Sequence, residues 1–271
     1  MRRPGLTTAP ITALVTAQLA TFALLGTGCS APQFAVEPRL DQPAVSGQVA
    51  AAAPGQPLEP NDVEGALDLG SDDSAFGVRA DIRFGSPHIV LSFLGSGFDG
   101  EGTLTGQLSD DGVVLPAGTD VGTDVEFGLY SGVMTFDVVP TDTVEVGLGF
   151  GLYVADLDAT VVSRDAGNPG TIDLQTTLPI PVLALQAAFE FGDLEIRGLV
   201  AGMHLQIDGD EATFYDLDFG ARYRLFDAGV SGSIGLGWRY SRLDAEYEDD
   251  DDNASVDLRL SGPYLGITIA F

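Results

Sequence analysis

The chain has 271 residues, of which 45% are hydrophobic, and its mean hydropathy is +0.18. This is enough apolar material to bury a core, and it excludes a disordered acidic chain. The formal net charge is -28, because 40 acidic residues face 12 basic ones, all of them arginine. A surface this anionic repels a phosphate backbone, which argues against nucleic acid as a partner.

The N-terminus has the composition of a secretory signal peptide, which we predict over residues 1–28. Arg2 and Arg3 supply the positive end, and residues 11–26 are uncharged and rich in Ala, Leu and Val. The stretch 26–30, Gly-Thr-Gly-Cys-Ser, resembles the lipobox of bacterial lipoproteins. This resemblance implies that Cys29 is lipidated, and two acyl chains would hold that end firmly in a membrane. The alternative is an ordinary signal peptide that is cleaved nearby.

Residues 29–73 are dominated by Ala, Pro, Gln, Val and Gly, with no sustained period of 2 or 3.6. This composition predicts a flexible tether. After the signal, no stretch of about 18 consecutive uncharged apolar residues occurs, so the sequence excludes a transmembrane helix in the mature chain.

From residue 74 the pattern changes to alternation, which is typical of β-strands with two unlike faces. In 143–158 the even positions are large and apolar from Val144 to Val154, while Gly147, Gly149 and Gly151 occupy odd positions. The same period recurs in 215–225, 234–240 and 264–271 of the sequence. Period 2 held over these lengths predicts long strands.

Turn signals divide this part of the chain into about eight strands. The predicted strands are 88–107, 119–138, 143–162, 172–191, 194–207, 213–225, 230–246 and 255–271. Short connections alternate with longer, acidic ones, the latter at 163–170, 208–213 and 246–253. This asymmetry is typical of outer-membrane barrels, which have short periplasmic turns and longer outer loops.

The last strand carries a further resemblance. The segment from Tyr264 to Phe271 alternates apolar residues and ends in an aromatic, and it resembles the C-terminal signal by which outer-membrane barrels are recognised for assembly. More loosely, residues 76–271 resemble the small OmpA and OmpW families. The resemblance implies an all-β, antiparallel up-and-down transmembrane β-barrel of about eight strands at 74–271. It also implies the outer membrane of a Gram-negative bacterium as the location, with outer-membrane lipid, lipopolysaccharide and the barrel-assembly machinery as partners.

A soluble β-sandwich or a lipocalin-like barrel is the structural alternative, because period 2 does not say which face meets water. The polar faces are rich in glycine and poor in the charged residues that solvate a soluble sheet. Such faces suit a narrow lumen better than an exposed surface.

Several charged residues fall on the predicted inner face of the barrel. These are Glu126, Glu145, Glu190, Arg222, Arg224 and Arg239. Because an isolated buried charge is costly, we expect them to form ion pairs that plug the lumen. The alternative is that they line a gated conduit for a small polar solute.

The acidic connections are the most distinctive feature of the sequence, and the run Asp249, Asp250, Asp251 and Asp252 is the densest. Clustered carboxylates are the ligands that Ca²⁺ prefers, so this run is a candidate Ca²⁺ site; we expect no other cofactor. The alternative is a solvated acidic rim that keeps the loops soluble.

The catalytic inventory is poor, because the chain has only two histidines, His88 and His204, and no recognised hydrolase or nucleotide motif. No catalytic residue is assigned. His204 and Ser241 fall at similar heights, which is the weak basis for a lipid-A-modifying enzyme. We therefore expect a non-enzymatic barrel with a structural or surface-interaction role. A narrow channel, a lipid-A-modifying enzyme and a soluble lipid-tethered periplasmic β-domain stay as alternatives.

Overall fold

The computed structural model describes residues 33–52, 57–69, 75–110, 112–141, 143–207, 210–248 and 253–271. Within these ranges the chain forms strands and turns, with no helix long and apolar enough to cross a membrane. The strands are β1 (Gln33–Asp41), β2 (Ala44–Ala52), β3 (Asn61–Asp62), β4 (Ala75–Arg83), β5 (Pro87–Thr103), β6 (Leu108–Asp110), β7 (Val113–Leu115), β8 (Asp120–Pro140), β9 (Val144–Ser163), β10 (Thr171–Phe191), β11 (Leu194–Ile207), β12 (Asp210–Asp227), β13 (Ser231–Glu248) and β14 (Asn253–Ala270).

Ten of these strands close into an antiparallel up-and-down barrel. The ring runs β1, β4, β5 and then β8 to β14 in order, and β14 pairs back onto β1 from Ala35–Ala270 to Asp41–Tyr264. After a break at 42–43, β2 continues the same register along β14. The fold class predicted from the sequence is confirmed. The ring has ten strands rather than eight, because β1 and β4 join the eight predicted strands.

The prediction of a flexible tether over 29–73 is wrong for most of its described residues. Residues 33–41 and 44–52 are barrel strands, and β1 is the strand that closes the ring. Glu37 and Arg39 face inward and are buried, while Val36 and Leu40 face outward and are exposed. The strand is hidden in the sequence because its inner face is charged and because Pro38 lacks the N–H that a strand normally donates.

Four tight connections lie at one end of the barrel, which we call the turn side. Glycines with positive φ occur in three of them, at Gly85 (69°), Gly192 (64°) and Gly229 (82°). Glycine adopts this left-handed conformation without a steric penalty, so two long strands can be joined within a few residues. The two chain termini of the barrel, near Phe34 and Phe271, are at the same end, where their rings stack at 6.2 Å.

Connections at the opposite end, the loop side, are shorter than predicted in two places. Strand β11 ends at Ile207 and pairs there with Asp210, so only residues 208–209 connect β11 to β12, where a loop at 208–213 was predicted. Strands β13 and β14 pair as far as Glu248 and Asn253, within the predicted loop 246–253. Glu211 and Glu246 stay in these strands with exposed side chains.

The polarity of the two strand faces reverses halfway along the barrel. On β9, Phe150 and Leu152 point outward on the turn side and are 54% and 47% exposed, while the outward residues beyond Val154 are Asp156 and Asp158. The inward residues change in the opposite sense, from Gly147, Gly149 and Gly151 to Ala155, Leu157, Ala159 and Val161. The turn-side half is therefore apolar outside, and the loop-side half is apolar inside.

A segment that we call the strap, residues 57–69, lies inside the mouth at the loop side. Because β4 is short, β5 beyond Gly95 pairs only with β8, and the strap packs against the free inner face of β5. Its anchor is Asn61, whose side-chain oxygen accepts hydrogen bonds from the backbone of Thr105 (3.0 Å) and Gly106 (2.9 Å). Val63, Leu67 and Leu69 of the strap are buried.

Candidate functional site in the lumen

A buried layer of ionised side chains crosses the turn-side half of the lumen, and we call it the charge layer. It consists of Glu37, Arg39, Arg79, Asp81, Arg197, Asp216, Asp218 and Arg239. In these eight residues four guanidinium groups face four carboxylates, so their formal charges cancel; Asp41 is also buried nearby, and one of its carboxylate oxygens has no hydrogen-bond partner among the described residues. Cancellation and hydrogen bonding are what allow ions to be buried at all.

The centre of the charge layer joins strands that are far apart in sequence. Arg39 donates to Glu37 (2.7 Å) and to Asp218 (2.8 Å). Arg197 donates to the other oxygen of Glu37 at 2.5 Å. Strand β1 is therefore tied across the lumen to β11 and β12 by charge-assisted hydrogen bonds, which are stronger than neutral ones.

A second branch runs from Asp218 towards β5 and β10. Arg79 donates to Asp218 (3.1 Å) and to Asp81 (2.8 Å). His88 continues the branch, with Nε2 3.3 Å from Asp81 and Nδ1 2.7 Å from the amide nitrogen of Gln186. His88 thus lies in the lumen, as a buried member of the hydrogen-bond network.

The third branch is centred on Asp216, which accepts four hydrogen bonds. Arg239 donates to both carboxylate oxygens (2.9 and 3.3 Å), the Tyr153 hydroxyl donates at 2.9 Å and the Ser241 hydroxyl at 2.5 Å. A carboxylate with so many donors is fully satisfied in a dry interior.

Tyr264 completes the layer from β14. Its hydroxyl donates to Asp218 at 2.7 Å, and the Arg39 guanidinium lies 4.1 Å from its ring centroid. The ring rests against the inner face at Gly220 and Gly237, where an added Cβ would come within 2.5 Å of Tyr264 atoms. The glycine-rich inner face therefore leaves room for long side chains that meet across the lumen.

A polar vestibule of about 400 Å³ opens on the turn side of the charge layer and ends at Arg79 and Arg197. Its wall carries the ion pairs of Arg83 with Glu145 (2.7 Å) and of Arg222 with Glu195 (2.5 Å). Ions and water can enter this vestibule, but its inner end is closed by the charge layer.

The structure separates the six charged residues that the sequence placed in the lumen. Arg239 lies in the charge layer. Glu145, Glu190, Arg222 and Arg224 line the vestibule. Glu126 does not face the lumen, because it lies in the outward row of β8 and is exposed in the loop-side half. The prediction assumed that the outer face is apolar along the whole strand. That assumption is wrong in the loop-side half, where the outer face is polar.

Most of the charge layer was missed from the sequence. Glu37 and Arg39 fell in the predicted tether, and Arg79 and Asp81 lay before the first predicted strand, 88–107. Asp216 and Asp218 alternate with apolar residues on β12, and that alternation was the available signal for two inward carboxylates.

The other predicted sites lie partly outside the described residues. This is so for the lipidation site Cys29 and for the candidate Ca²⁺ site Asp249, Asp250, Asp251 and Asp252. Among the described residues no group of three or more potential ligands could hold a metal ion. Of the predicted assembly signal, Phe271 is exposed on the outer face, while Tyr264 is buried in the lumen.

His204 and Ser241 are not brought together. His204 lies in the outward row of β11, where Nδ1 is 2.9 Å from the Thr213 hydroxyl. Ser241 faces inward and is held by Asp216. The two side chains are on opposite faces of the barrel wall and cannot act on one substrate.

The barrel is similar to solved outer-membrane proteins. The protease OmpT of Escherichia coli matches with a TM-score of 0.54 at 8% identity, over 91% of this chain and 99% of OmpT. The translocator domain of the autotransporter NalP of Neisseria meningitidis matches at 0.36 and 11%, over 95% and 94%. The attachment invasion locus protein Ail of Yersinia pestis matches at 0.34 and 8%, over 89% and 99%.

The sequence itself matches no protein-family model and no curated protein. The scores for NalP and Ail are below 0.5, so the similarity to OmpT is the one that bears on the architecture. At 8% identity that similarity extends to the fold, and the chain has the fold of an outer-membrane β-barrel.

Proposed function

We propose that this protein is a closed, non-enzymatic barrel of the Gram-negative outer membrane, with its acidic loop side at the cell surface and a structural or interaction role there. The observation that carries the proposal is the charge layer, which fills the lumen with paired ions instead of leaving a water-filled path. A role in conduction or catalysis would need an open path or an assembled catalytic group.

The outer surface supports the membrane location. Large apolar side chains are exposed around the turn-side half, where a soluble protein would present polar groups. Examples from five strands are Leu40, Leu183, Phe219, Leu236 and Ile267, which are 51% or more exposed. An apolar band of this kind is stable only against lipid.

The orientation is supported by the charged outer surface of the loop-side half. There Asp158 accepts a hydrogen bond from Gln175 (2.5 Å), and Arg242 donates to Asp257 (3.0 Å). The hydrogen bond that Arg242 donates to Asp257 raises the pKa of Arg242 above its usual value, so this guanidinium stays charged. Charged residues in this density require water, which supports a position of the loop-side half beyond the lipid.

Conductance is the direct test of a closed lumen. We expect the purified barrel to insert into a planar bilayer without discrete conductance steps, because the charge layer leaves no water-filled path. The double variant Asp216→Ala with Arg239→Ala removes an ion pair without leaving a single unpaired charge and vacates lumen volume. We expect it to show small conductance steps.

If the wild-type protein showed conductance steps as often as the double variant, the proposal of a closed lumen would be wrong. The narrow-channel alternative would then be favoured. A heat-dependent shift in gel mobility, measured for both proteins, shows that each barrel is folded before it is tested.

The non-enzymatic part of the proposal is supported by the separation of His204 from Ser241. We do not extend the protease activity of OmpT to this chain, since 8% identity relates the folds alone. A strain that lacks the protein should keep its lipid A mass profile. A change in that profile would favour the lipid-A-modifying alternative.

A further inference from the structure

The loop-side half of the lumen encloses a second chamber, separate from the polar vestibule. Its volume is about 350 Å³, and its lining is nearly all hydrocarbon. The lining includes Val49, Leu67, Phe98, Leu129, Val161 and Leu258. The chamber lies above the charge layer, since Ser241, which is bonded to Asp216, is part of its wall.

The size of the chamber fits a ligand better than it fits a packing defect. Small-molecule sites commonly have volumes of about 300–1,000 Å³. An apolar cavity of about 150 Å³ in another protein stays dry and binds benzene. This chamber is more than twice that size, which is room for a bicyclic aromatic or a medium-length alkyl chain.

One buried polar side chain of the chamber wall lacks a hydrogen-bond partner among the described residues. Thr123 lies in the inward row of β8 and is 4% exposed, and its hydroxyl has no hydrogen-bond partner among the described residues. A buried hydroxyl without a partner costs about 1–3 kcal/mol. A ligand with one hydrogen-bonding group would remove this cost.

The strap forms part of the chamber wall. Val63, Leu67 and Leu69 belong both to the strap and to the chamber wall. The backbone oxygens of Ala66, Leu67 and Asp68 pack against Gly100 and Gly102 on the inner face of β5. The strap is also held by the pairing of β3 with β2 and by the hydrogen bond that the Val63 N–H donates to the Gly47 carbonyl oxygen. Displacing residues 66–69 from β5 breaks none of these and no strand pair of the ring.

We propose that this chamber binds a small, uncharged, largely hydrocarbon molecule with one hydroxyl or carbonyl group, which pairs with the Thr123 hydroxyl. The ligand comes from the aqueous side rather than from the membrane, because the outer face at this level carries Asp124, Asp156 and Asp158 and does not contact lipid chains. The inference goes beyond the proposed function and does not depend on whether the lumen conducts.

The test uses 1-naphthol and naphthalene as probes, in equilibrium dialysis against the detergent-solubilised barrel. We expect about one molecule of either probe bound per wild-type chain. In Val161→Trp the larger side chain fills the chamber from its wall, and the binding of both probes should be abolished. The matched control is Val162→Trp on the adjacent outward position, which is 42% exposed and should bind as the wild type does. The difference in bound probe between the two variants also corrects for probe that dissolves in protein-bound detergent.

The hydroxyl is tested separately with Thr123→Val, which keeps the shape of the side chain. Naphthalene should bind this variant as before, while 1-naphthol should bind roughly five-fold to ten-fold more weakly, the effect of one hydrogen bond. Excess dihexanoyl phosphatidylcholine should not compete, and competition would identify a lipid chain as the occupant instead.

Equal binding of the probes to the Val161→Trp and Val162→Trp proteins would overturn the site. An equal loss of both probes in Thr123→Val would overturn the role of the hydroxyl. If Val161→Trp does not show the heat-dependent gel shift of a folded barrel, Ala159→Phe replaces it, because Ala159 lines the same wall with a smaller side chain.

Discussion

The turn-side and loop-side halves of the barrel are built from the same strands with opposite polarity. On β9, the outward row runs from Phe150 and Leu152 to Asp156 and Asp158, while the inward row changes from glycine to Ala, Leu and Val. The turn-side half holds its charges inside, where they are paired. The loop-side half holds its charges outside and encloses an apolar chamber.

The difference shows which solvent each half meets. A strand that crosses from lipid to water must exchange the polarity of its outer face, whereas its inner face is free to follow the needs of the lumen. In the turn-side half the inner face carries the charge layer, and in the loop-side half it carries an apolar core closed by the strap. We place the boundary of the membrane at the level where both faces change.

The charge layer should contribute the largest single-residue effect. Asp218→Ala removes the carboxylate shared by Arg39 and Arg79 and leaves two buried guanidinium groups short of a partner. We expect unfolding to become easier by about 3–5 kcal/mol. Urea titration in micelles, followed by the fluorescence of the single Trp238, measures this change.

Asp99→Ala is the control for that experiment, because Asp99 is an exposed outward carboxylate on β5 in the loop-side half. Its effect should stay within about 0.5 kcal/mol. Equal effects of the two substitutions would mean that the charge layer does not hold the barrel together.

The membrane boundary can be tested along one outward row of one strand. Leu152→Arg places a cation in the apolar band, and we expect it to cost about 2–4 kcal/mol. Asp156→Arg, four residues further along the same row, should cost about 0–1 kcal/mol because that position already faces water. Equilibrium urea unfolding in liposomes checks both values, and similar costs at the two positions would place the boundary elsewhere.

Local patterns predicted the strands that pair with their neighbours in sequence. The predicted 194–207 coincides with β11, and the predicted 172–191 differs from β10 by one residue. The closing strand β1 was missed because its partner at Ala270 is far away in sequence, and Pro38 interrupts its pattern. Closure is a property of the whole ring, so no local signal marks it.

The site was predictable only in part, for a related reason. Alternation assigns residues to faces, and it correctly put Arg239 on a different face from Trp238 and Tyr240. It does not say which face meets lipid, so the outward Glu126 was placed in the lumen. The chamber was not predicted at all, because the strap that covers it has no periodicity and is positioned by contacts with Gly100 and Gly102.

The smallest expected effect on the stability of the barrel comes from displacing the strap. This experiment asks whether the strap can move away from the chamber while the barrel stays folded. At Gly102 a Cβ would lie 2.1 Å from the backbone oxygen of Ala66, so Gly102→Val must displace the strap. Global unfolding should change by less than about 1 kcal/mol, since no ring pairing is lost. The strap amides of Ala66 and Leu69, which donate to Asp62 and Val63, should exchange hydrogen about ten-fold faster or more.

Gly97→Val on the same strand is the matched control, because Gly97 faces outward and the nearest atom to its added Cβ is 4.0 Å away. Exchange of the strap amides in this variant should equal that of the wild type. If Gly102→Val left their exchange unchanged as well, the strap would not be held by its contact with β5, and the Asn61 hydrogen bonds together with the pairing of β3 to β2 would have to anchor it. If instead the whole barrel lost stability together with the strap, the loop-side half would be one cooperative unit, and the chamber could not open without unfolding its wall.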